Sequence, residues 1–284
     1  MNIDGHTIVA GVAGWPIAHS LSPRLHQFWL REHAINGAYV PLAIARTDFA
    51  SVVEALRKAG FAGINVTVPH KQAAFAIAHE LDDAARLTGA ANLLLFRDGR
   101  IEARNTDSDG LYQALHEALG ESAKGKKAVL LGAGGAARGA ALALARLGIS
   151  DLAILNRNEV RAQNLANAFA DKTATTMHGA NLDAWSKYAG DAALVVNATS
   201  AGMTGNAPLD LALDALDHSA AVCDIVYNPL QTELLKGALA RGLKVIDGLG
   251  MLMHQAVQAF AAFYGITPKV SPALRAELEG ALGA

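Results

Sequence analysis

The segment Ala128-Val129-Leu130-Leu131-Gly132-Ala133-Gly134-Gly135-Ala136-Ala137-Arg138-Gly139 constrains the fold of this chain more than any other. An apolar run of strand length enters a Gly-x-Gly-x-x-Ala turn and continues with helical period. Gly132 permits a tight turn, Gly134 lets backbone N–H groups approach a pyrophosphate, and Ala137 is small enough for close helix–strand packing. The helix N-terminus behind the turn offers positive partial charge to phosphate. A glycine-rich βα turn can be purely structural. Set between a buried strand and a helix, it is read as a dinucleotide-binding turn.

The rest of the middle region repeats the pattern. Leu152-Leu155, Leu194-Val196, Ala221-Val226 and Lys244-Ile246 read as buried strands, alternating with helical segments at Glu159-Ala170 and Gln231-Arg241. Such alternation implies a parallel sheet with right-handed crossovers. The polar stretch Glu121-Lys127, just ahead of the first of these strands, is the best linker candidate. The first third is mixed α/β and is not a second copy of the middle. Strands are expected at Thr7-Gly11, Tyr39-Ala43 and Gly63-Val68, and helices at Pro23-His33, Asp48-Ala59 and from Pro69. Ala91-Phe96 and Ile101-Asn105 form a hairpin turned by Asp98-Gly99, a pair that favours a type I′ turn. Helices at Met251-Tyr264 and Ser271-Leu282 follow the last strand and are expected to pack back on the N-terminal lobe.

Composition excludes several classes. The 284 residues are 52% hydrophobic and 18% charged, too apolar for a disordered chain. Lys and Arg number 24 against 26 Asp and Glu, so no basic stripe is left to bind nucleic acid. One cysteine, Cys223, makes no internal disulfide, and no zinc-spaced Cys/His set is present, so no metal is expected. Apolar stretches are too short to span a bilayer, and Met1-His6 lacks the pattern of an export signal, so a cytoplasmic protein is expected.

The polar residues raise sharper questions. Asn156, at the end of the second strand of the parallel region, stands where a ribose-reading acid usually sits, and is followed by Arg157 and, a turn on, Arg161. A carboxylate there repels a 2′-phosphate, whereas guanidiniums attract it, so NADP is favoured over NAD. In Gly63-Ile64-Asn65-Val66-Thr67-Val68-Pro69-His70-Lys71, alternation puts Asn65 and Thr67 on one face and leads into Lys71 in a first helical turn. The helix dipole disfavours a cation there, which favours a site over a surface lysine. The hairpin register sets Asn92 opposite Asn105, with Asp107 on the same side if the strand runs on. Solvent-facing asparagines and a turn or helix-cap aspartate account equally well for these three. Ser22 reads as an N-cap followed by Pro23, which leaves Ser20 over. Spacing does not decide between capping and carboxylate binding for this pair. Cys223 reads as a small core residue.

Taken together, Gly14-Trp15-Pro16-Ile17-Ala18-His19-Ser20-Leu21-Ser22-Pro23 and Asn65-Val66-Thr67-Val68-Pro69-His70-Lys71 resemble the two signatures of the shikimate dehydrogenase family. Gly89-Ala90-Ala91-Asn92, Asn105-Thr106-Asp107, the glycine turn, Asn156-Arg157 and Asn197-Ala198-Thr199-Ser200 continue the resemblance. So do Asp224-Ile225-Val226-Tyr227-Asn228-Pro229 and Asp247-Gly248-Leu249-Gly250-Met251-Leu252 with Gln255. The resemblance covers nearly the whole chain.

It implies an α/β protein of two lobes with a cleft between them. One is an N-terminal mixed α/β substrate lobe completed by C-terminal helices, residues 1–107 and 248–284. The other is a Rossmann-like NADP-binding lobe, residues 108–247. It further implies reversible reduction of 3-dehydroshikimate to shikimate in aromatic amino-acid biosynthesis, by a monomer or homodimer. Carried over by motif, Ser20 and Ser22 hold the substrate carboxylate. Thr67, Asn92, Asp107 and Gln255 bind its hydroxyl and keto oxygens, Asn65 lines the pocket, and Tyr227 reaches in from the other lobe. Lys71 is the acid/base, paired with Asp107. Gly132, Ala133, Gly134, Gly135 and Ala136 contact NADP, as do Asn156, Arg157, Asn158, Arg161, Thr199, Ile225 and Gly248. Three positions depart from the family pattern: Ser108 replaces glycine, Asn158 replaces threonine, and Ala91 with Leu93 flank Asn92 where valine and threonine are usual. Asn158 bears on a phosphate contact.

Hydride attack on a ketone leaves an alkoxide that needs a proton or cation beside it, which a lysine ammonium supplies. Two alternatives accompany this reading. One is a quinate/shikimate dehydrogenase using NAD. The other is a catalytically silent NADP-binding regulator, whose mark is loss of Lys71 or Asp107, both present here.

Overall fold

The computed structural model describes residues 3–283. They form two compact units, each built on a six-stranded sheet. One comprises the chain up to Thr106 together with Leu252–Gly283, the other Asp107–Met251.

In the first unit the chain runs β1 (Ile8–Gly14), α1 (Ser22–Glu32), β2 (Gly37–Ala43), α2 (Phe49–Lys58), β3 (Gly63–Val66) and α3 (Lys71–Ile77). It continues through β4 (Glu80–Leu81), α4 (Asp83–Thr88), β5 (Leu93–Arg97) and β6 (Arg100–Arg104). The sheet order is β2-β1-β3-β5-β6-β4, parallel around β1 and antiparallel through the β5–β6 hairpin. That hairpin has the anticipated register, Arg97 opposite Arg100, and Asp98 and Gly99 both take positive φ (49° and 74°), as a type I′ turn requires. One sheet face, with Ala13, Ile64, Val66, Leu94 and Ala103, packs on Phe49 and Val53 of α2 and Ala74 of α3.

The second unit carries α5 (Asp107–Leu119), β7 (Lys127–Leu131), α6 (Gly135–Arg146), β8 (Asp151–Asn156), α7 (Glu159–Phe169) and β9 (Thr176–Asn181). Then come α8 (Trp185–Ala189), β10 (Ala192–Asn197), β11 (Ala221–Asp224), α9 (Glu233–Ala240) and β12 (Lys244–Ile246). Every strand pair is parallel, in the order β12-β11-β10-β7-β8-β9. Strand order reverses between β7 and β10, the switch point at which such sheets bind ligands beyond their carboxyl ends. Glu121–Lys127 is no linker between units: it lies within the second unit, and the division falls at Thr106–Asp107. Among the described residues, no helix is long and apolar enough to cross a membrane.

The last helices, α10 (Gly248–Tyr264) and α11 (Pro272–Leu282), complete the first unit from Leu252 onward. Phe260 lies edge-on to Trp29 with ring centroids 5.3 Å apart, Trp29 Nε1 donates to the Lys269 carbonyl (3.1 Å), and Tyr264 donates to the Ala38 carbonyl (3.1 Å). Within this cluster His26 is 1% exposed, and neither ring nitrogen has a hydrogen-bond partner. Burial pushes its pKa down to about 3. An unfolded chain protonates this histidine below about pH 6.5, whereas the folded one does not until about pH 3, so acid favours unfolding across that window. Between about pH 7 and pH 5, His26 is expected to remove about 2 kcal/mol of stability. In chemical denaturation, His26→Phe is expected to lose that much less than the parent over the same range; equal losses contradict this.

Candidate active site

The signature around Lys71 is built from three local pieces. Asn65 is the buried third residue of β3, and Thr67, just past the strand, donates its N–H to the Ala13 carbonyl (2.9 Å). His70 is held by the interior of the first unit. Its ring is buried, Nε2 donates to the Ile44 carbonyl (2.7 Å), and it stacks on Phe49. His70 anchors the loop that delivers Lys71 as the first residue of α3. The Lys71 carbonyl in turn accepts from Ala91 N–H (2.9 Å), tying α3 to the approach of β5.

The hairpin ends differ from the expectation. Asn92 Oδ1 accepts from Thr106 N–H (2.8 Å), and its Nδ2 donates to Thr106 Oγ1 (3.0 Å) and to Gln255 Oε1 (3.4 Å). Gln255, far away in sequence, thus joins Asn92 through α10. Asn105 does not share this face. Its Nδ2 donates to Thr88 Oγ1 (3.0 Å) and the Ala90 carbonyl (2.9 Å), so it clamps the end of α4. The strand stops at Arg104, and alternation therefore does not carry through to Asn105. Asp107 does not extend the strand either; it is the buried first residue of α5, where a carboxylate suits the helix dipole. The capping expectation at Ser20 and Ser22 is reversed. Ser22 is the first helical residue, Leu21 precedes it without a side-chain cap, and the Ser20 hydroxyl accepts from Ser22 N–H (3.3 Å). Capping therefore leaves Ser22, not Ser20, unexplained.

In the second unit, Gly132 takes φ +109°, and its N–H donates to the Leu155 carbonyl (2.8 Å). A Cβ there would lie 3.0 Å from Thr199 Cγ2, so the β7 turn and the loop after β10 pack tightly. Above Gly134, the residue preceding α6, a Cβ would meet nothing within 4 Å. That open approach, at the N-terminus of a 12-residue helix with no acid in its first turn, fits a pyrophosphate. At the end of β8, Asn156 Nδ2 donates to the Asn158 carbonyl (2.9 Å), and Asn181 Nδ2 donates to the Arg157 carbonyl (3.2 Å). Asn158 is the N-cap of α7, its Oδ1 accepting from Arg161 N–H (3.1 Å). The departure from threonine thus keeps the capping function. Arg157 and Arg161 are exposed, and Asn156-Arg157-Asn158 holds no carboxylate, which fits a 2′-phosphate rather than a bare ribose.

Two residues without an expected role organise these surroundings. Tyr39 donates to Asn65 Oδ1 (2.8 Å), and Asn65 Nδ2 donates to the Asn92 carbonyl (3.2 Å). Asp224, fully buried, accepts from Asn197 Nδ2 (3.0 Å), Val226 N–H (3.0 Å) and Thr232 Oγ1 (2.7 Å). Asn197 Oδ1 takes both the N–H (3.0 Å) and the hydroxyl (2.7 Å) of Thr199. One carboxylate therefore ties together the loops after β10 and β11, which carry Thr199, Ile225 and Tyr227. Burial raises its pKa, against the three donors that lower it. Gly248 closes the group: a Cβ on it would lie 2.3 Å from the Ile225 carbonyl oxygen. The available signal was a tyrosine hydroxyl and a carboxylate within apolar strands, since buried polar groups need partners. Cys223, beside Asp224, is a buried core thiol that burial makes still less acidic.

Residues 12–94 match the shikimate dehydrogenase substrate binding domain, and residues 114–205 match shikimate / quinate 5-dehydrogenase. The chain is 50% identical over 274 residues to shikimate dehydrogenase (NADP(+)) of Acidiphilium cryptum, covering 96% of each sequence. Among solved structures it resembles a shikimate dehydrogenase in complex with NADP+, with TM-score 0.89 and 33% identity over 98% of this chain and 97% of that one. It also resembles the Thermus thermophilus shikimate 5-dehydrogenase in complex with NADP(H) and shikimate, with TM-score 0.84 and 34% identity over 98% and 99% of the two chains. Agreement of this extent, along the full length and in both units, means that the chain belongs to the shikimate dehydrogenase family.

Proposed function

We propose that this chain catalyses the reversible, NADP-dependent reduction of 3-dehydroshikimate to shikimate, a step in aromatic amino-acid biosynthesis. The first unit serves as the substrate domain and the second as the NADP domain. The observation that carries the reading is the cluster of buried Asn92 and Thr106 with half-buried Gln255, joined at 3.0–3.4 Å from three separate segments in the unit that also presents Lys71. Such convergence of amide and hydroxyl groups suits a small polyhydroxylated acid.

NADPH, when bound, supplies the hydride for the keto carbon. Lys71 delivers the proton to the oxygen that becomes the new hydroxyl, and its charge stabilises that oxygen as negative charge develops. Asp107 holds and aims the ammonium. Ser20 and Ser22 bind the substrate carboxylate. Thr67, Asn65, Asn92 and Gln255 orient the ring oxygens, and Tyr227 covers the substrate. Gly132 to Ala136 would cradle the pyrophosphate. Asn156, Arg157, Asn158 and Arg161 would hold the 2′-phosphate, and Thr199, Ile225 and Gly248 would also contact NADP. The protein acts in the cytoplasm on a free small molecule, as a monomer or homodimer.

Cofactor choice tests the reading. Replacing Arg157 and Arg161 together by alanine is expected to raise KM for NADPH about 10–100-fold, with little change for NADH, because only the phosphorylated ribose loses charge-assisted bonds. Equal effects on both cofactors in steady-state assays contradict the assignment.

A further inference from the structure

Tyr39 and His26 have no part in the chemistry above, yet Tyr39 bonds Asn65 and His26 stacks on Tyr39. Tyr39 lies on β2 and Asn65 on β3, on either side of β1. The registers pair Tyr39 with Ala10 and Asn65 with Val12, so all four side chains belong to one face. Two inter-strand steps of about 4.8 Å separate β2 from β3, and only a long side chain laid across β1 bridges them. Ala10, with its single methyl, leaves the phenol room to cross. The hydroxyl donates to Asn65 Oδ1 at 2.8 Å in a buried setting. The phenol also stacks on His26, with ring centroids 3.8 Å apart and planes 6° from parallel. Neither His26 nitrogen has a hydrogen-bond partner, so the imidazole contributes a flat face against which the phenol is held.

This arrangement limits what Asn65 has left to offer. Its oxygen accepts from Tyr39, and one Nδ2 hydrogen goes to the Asn92 carbonyl at 3.2 Å. A flipped amide would set its oxygen against that carbonyl and its NH2 against the phenol O–H. One Nδ2 hydrogen remains to donate elsewhere. We propose that Tyr39 is a positioning residue for substrate binding: its hydroxyl locks the Asn65 amide so that the second N–H donates to a substrate oxygen. This rests on the placement of Asn65 in the substrate pocket.

The test is a double-mutant cycle read by the dissociation constant of shikimate and by steady-state kinetics. Tyr39→Phe removes only the hydroxyl. It is expected to weaken shikimate binding and raise KM for 3-dehydroshikimate about 5–20-fold, with kcat and KM for NADPH nearly unchanged. Asn65→Ala weakens shikimate binding at least as much, and in that background Tyr39→Phe adds nothing further. Effects that multiply overturn the proposal, because Tyr39 then acts other than through Asn65. A lower melting temperature for Tyr39→Phe with unchanged shikimate binding overturns it too. If Asn65→Ala binds shikimate like the parent, the pocket placement of Asn65 fails and the proposal with it. A parent chain that binds no shikimate overturns the functional reading itself.

Discussion

Lys71→Ala is expected to lower kcat for 3-dehydroshikimate reduction by ~10²–10⁴-fold, the range over which a positioned acid acts, and to leave NADPH affinity close to that of the parent. The asymmetry follows from where Lys71 sits. It belongs to the first unit, whereas the glycine turn, Asn156-Arg157 and the Asp224-tied loops all belong to the second. The backbone contact at this position survives the substitution, since the Lys71 carbonyl accepts from Ala91 N–H whatever the side chain. Helix α3 has no other charged residue in its first turn to take over the proton. Stopped-flow or steady-state turnover, with NADPH binding read by fluorescence, measures both halves. Turnover at the parent rate removes Lys71 from the chemistry. A collapse of NADPH binding instead shows that the residue acts on the fold.

The second large effect is expected at Asp224. Replacing it by alanine strands three donors in a site with no exposure: the Asn197 amide, Val226 N–H and the Thr232 hydroxyl. Each unsatisfied buried group costs about 1–3 kcal/mol, partly offset because a carboxylate no longer has to be buried, so a net loss of about 3 kcal/mol is expected. The consequence reaches further than stability. Asn197 holds Thr199 through two hydrogen bonds, and Val226 lies between Ile225 and Tyr227, so both loops lose their common tether. NADPH affinity should fall along with the melting temperature. Asp224→Asn, which keeps one acceptor oxygen, should lie between the alanine variant and the parent. Parent-like stability and cofactor affinity in Asp224→Ala would contradict the tether.

What the sequence made legible was what short-range chemistry determines. The β7–turn–α6 unit, the Asp98-Gly99 hairpin register and the helices capped by Asn158 and Ser271 depend on neighbours a few residues away. β9 was missed because it is an edge strand with an unpatterned, half-exposed sequence. Its one informative residue, Gly179, is needed because a Cβ would lie 2.2 Å from the Gln163 backbone of α7, a contact invisible to periodicity. Asn105 was misassigned because strand alternation was extended past Arg104, where the chain already turns toward α5. At Ser20 and Ser22 the cap rule pointed to the wrong hydroxyl, since the helix starts one residue earlier than Pro23 suggests. Tyr39, Thr106 and Asp224 derive their importance from partners on other strands, and only the register reveals them.

The central claim is that this chain interconverts shikimate and 3-dehydroshikimate with NADP. Initial rates of cofactor reduction with shikimate and NADP+, with quinate and NAD+ exchanged in as controls, test it most directly. The expected result is robust turnover with the highest kcat/KM for shikimate with NADP+, lower for either exchange. No turnover with shikimate, or a preference for quinate with NAD+, would contradict it.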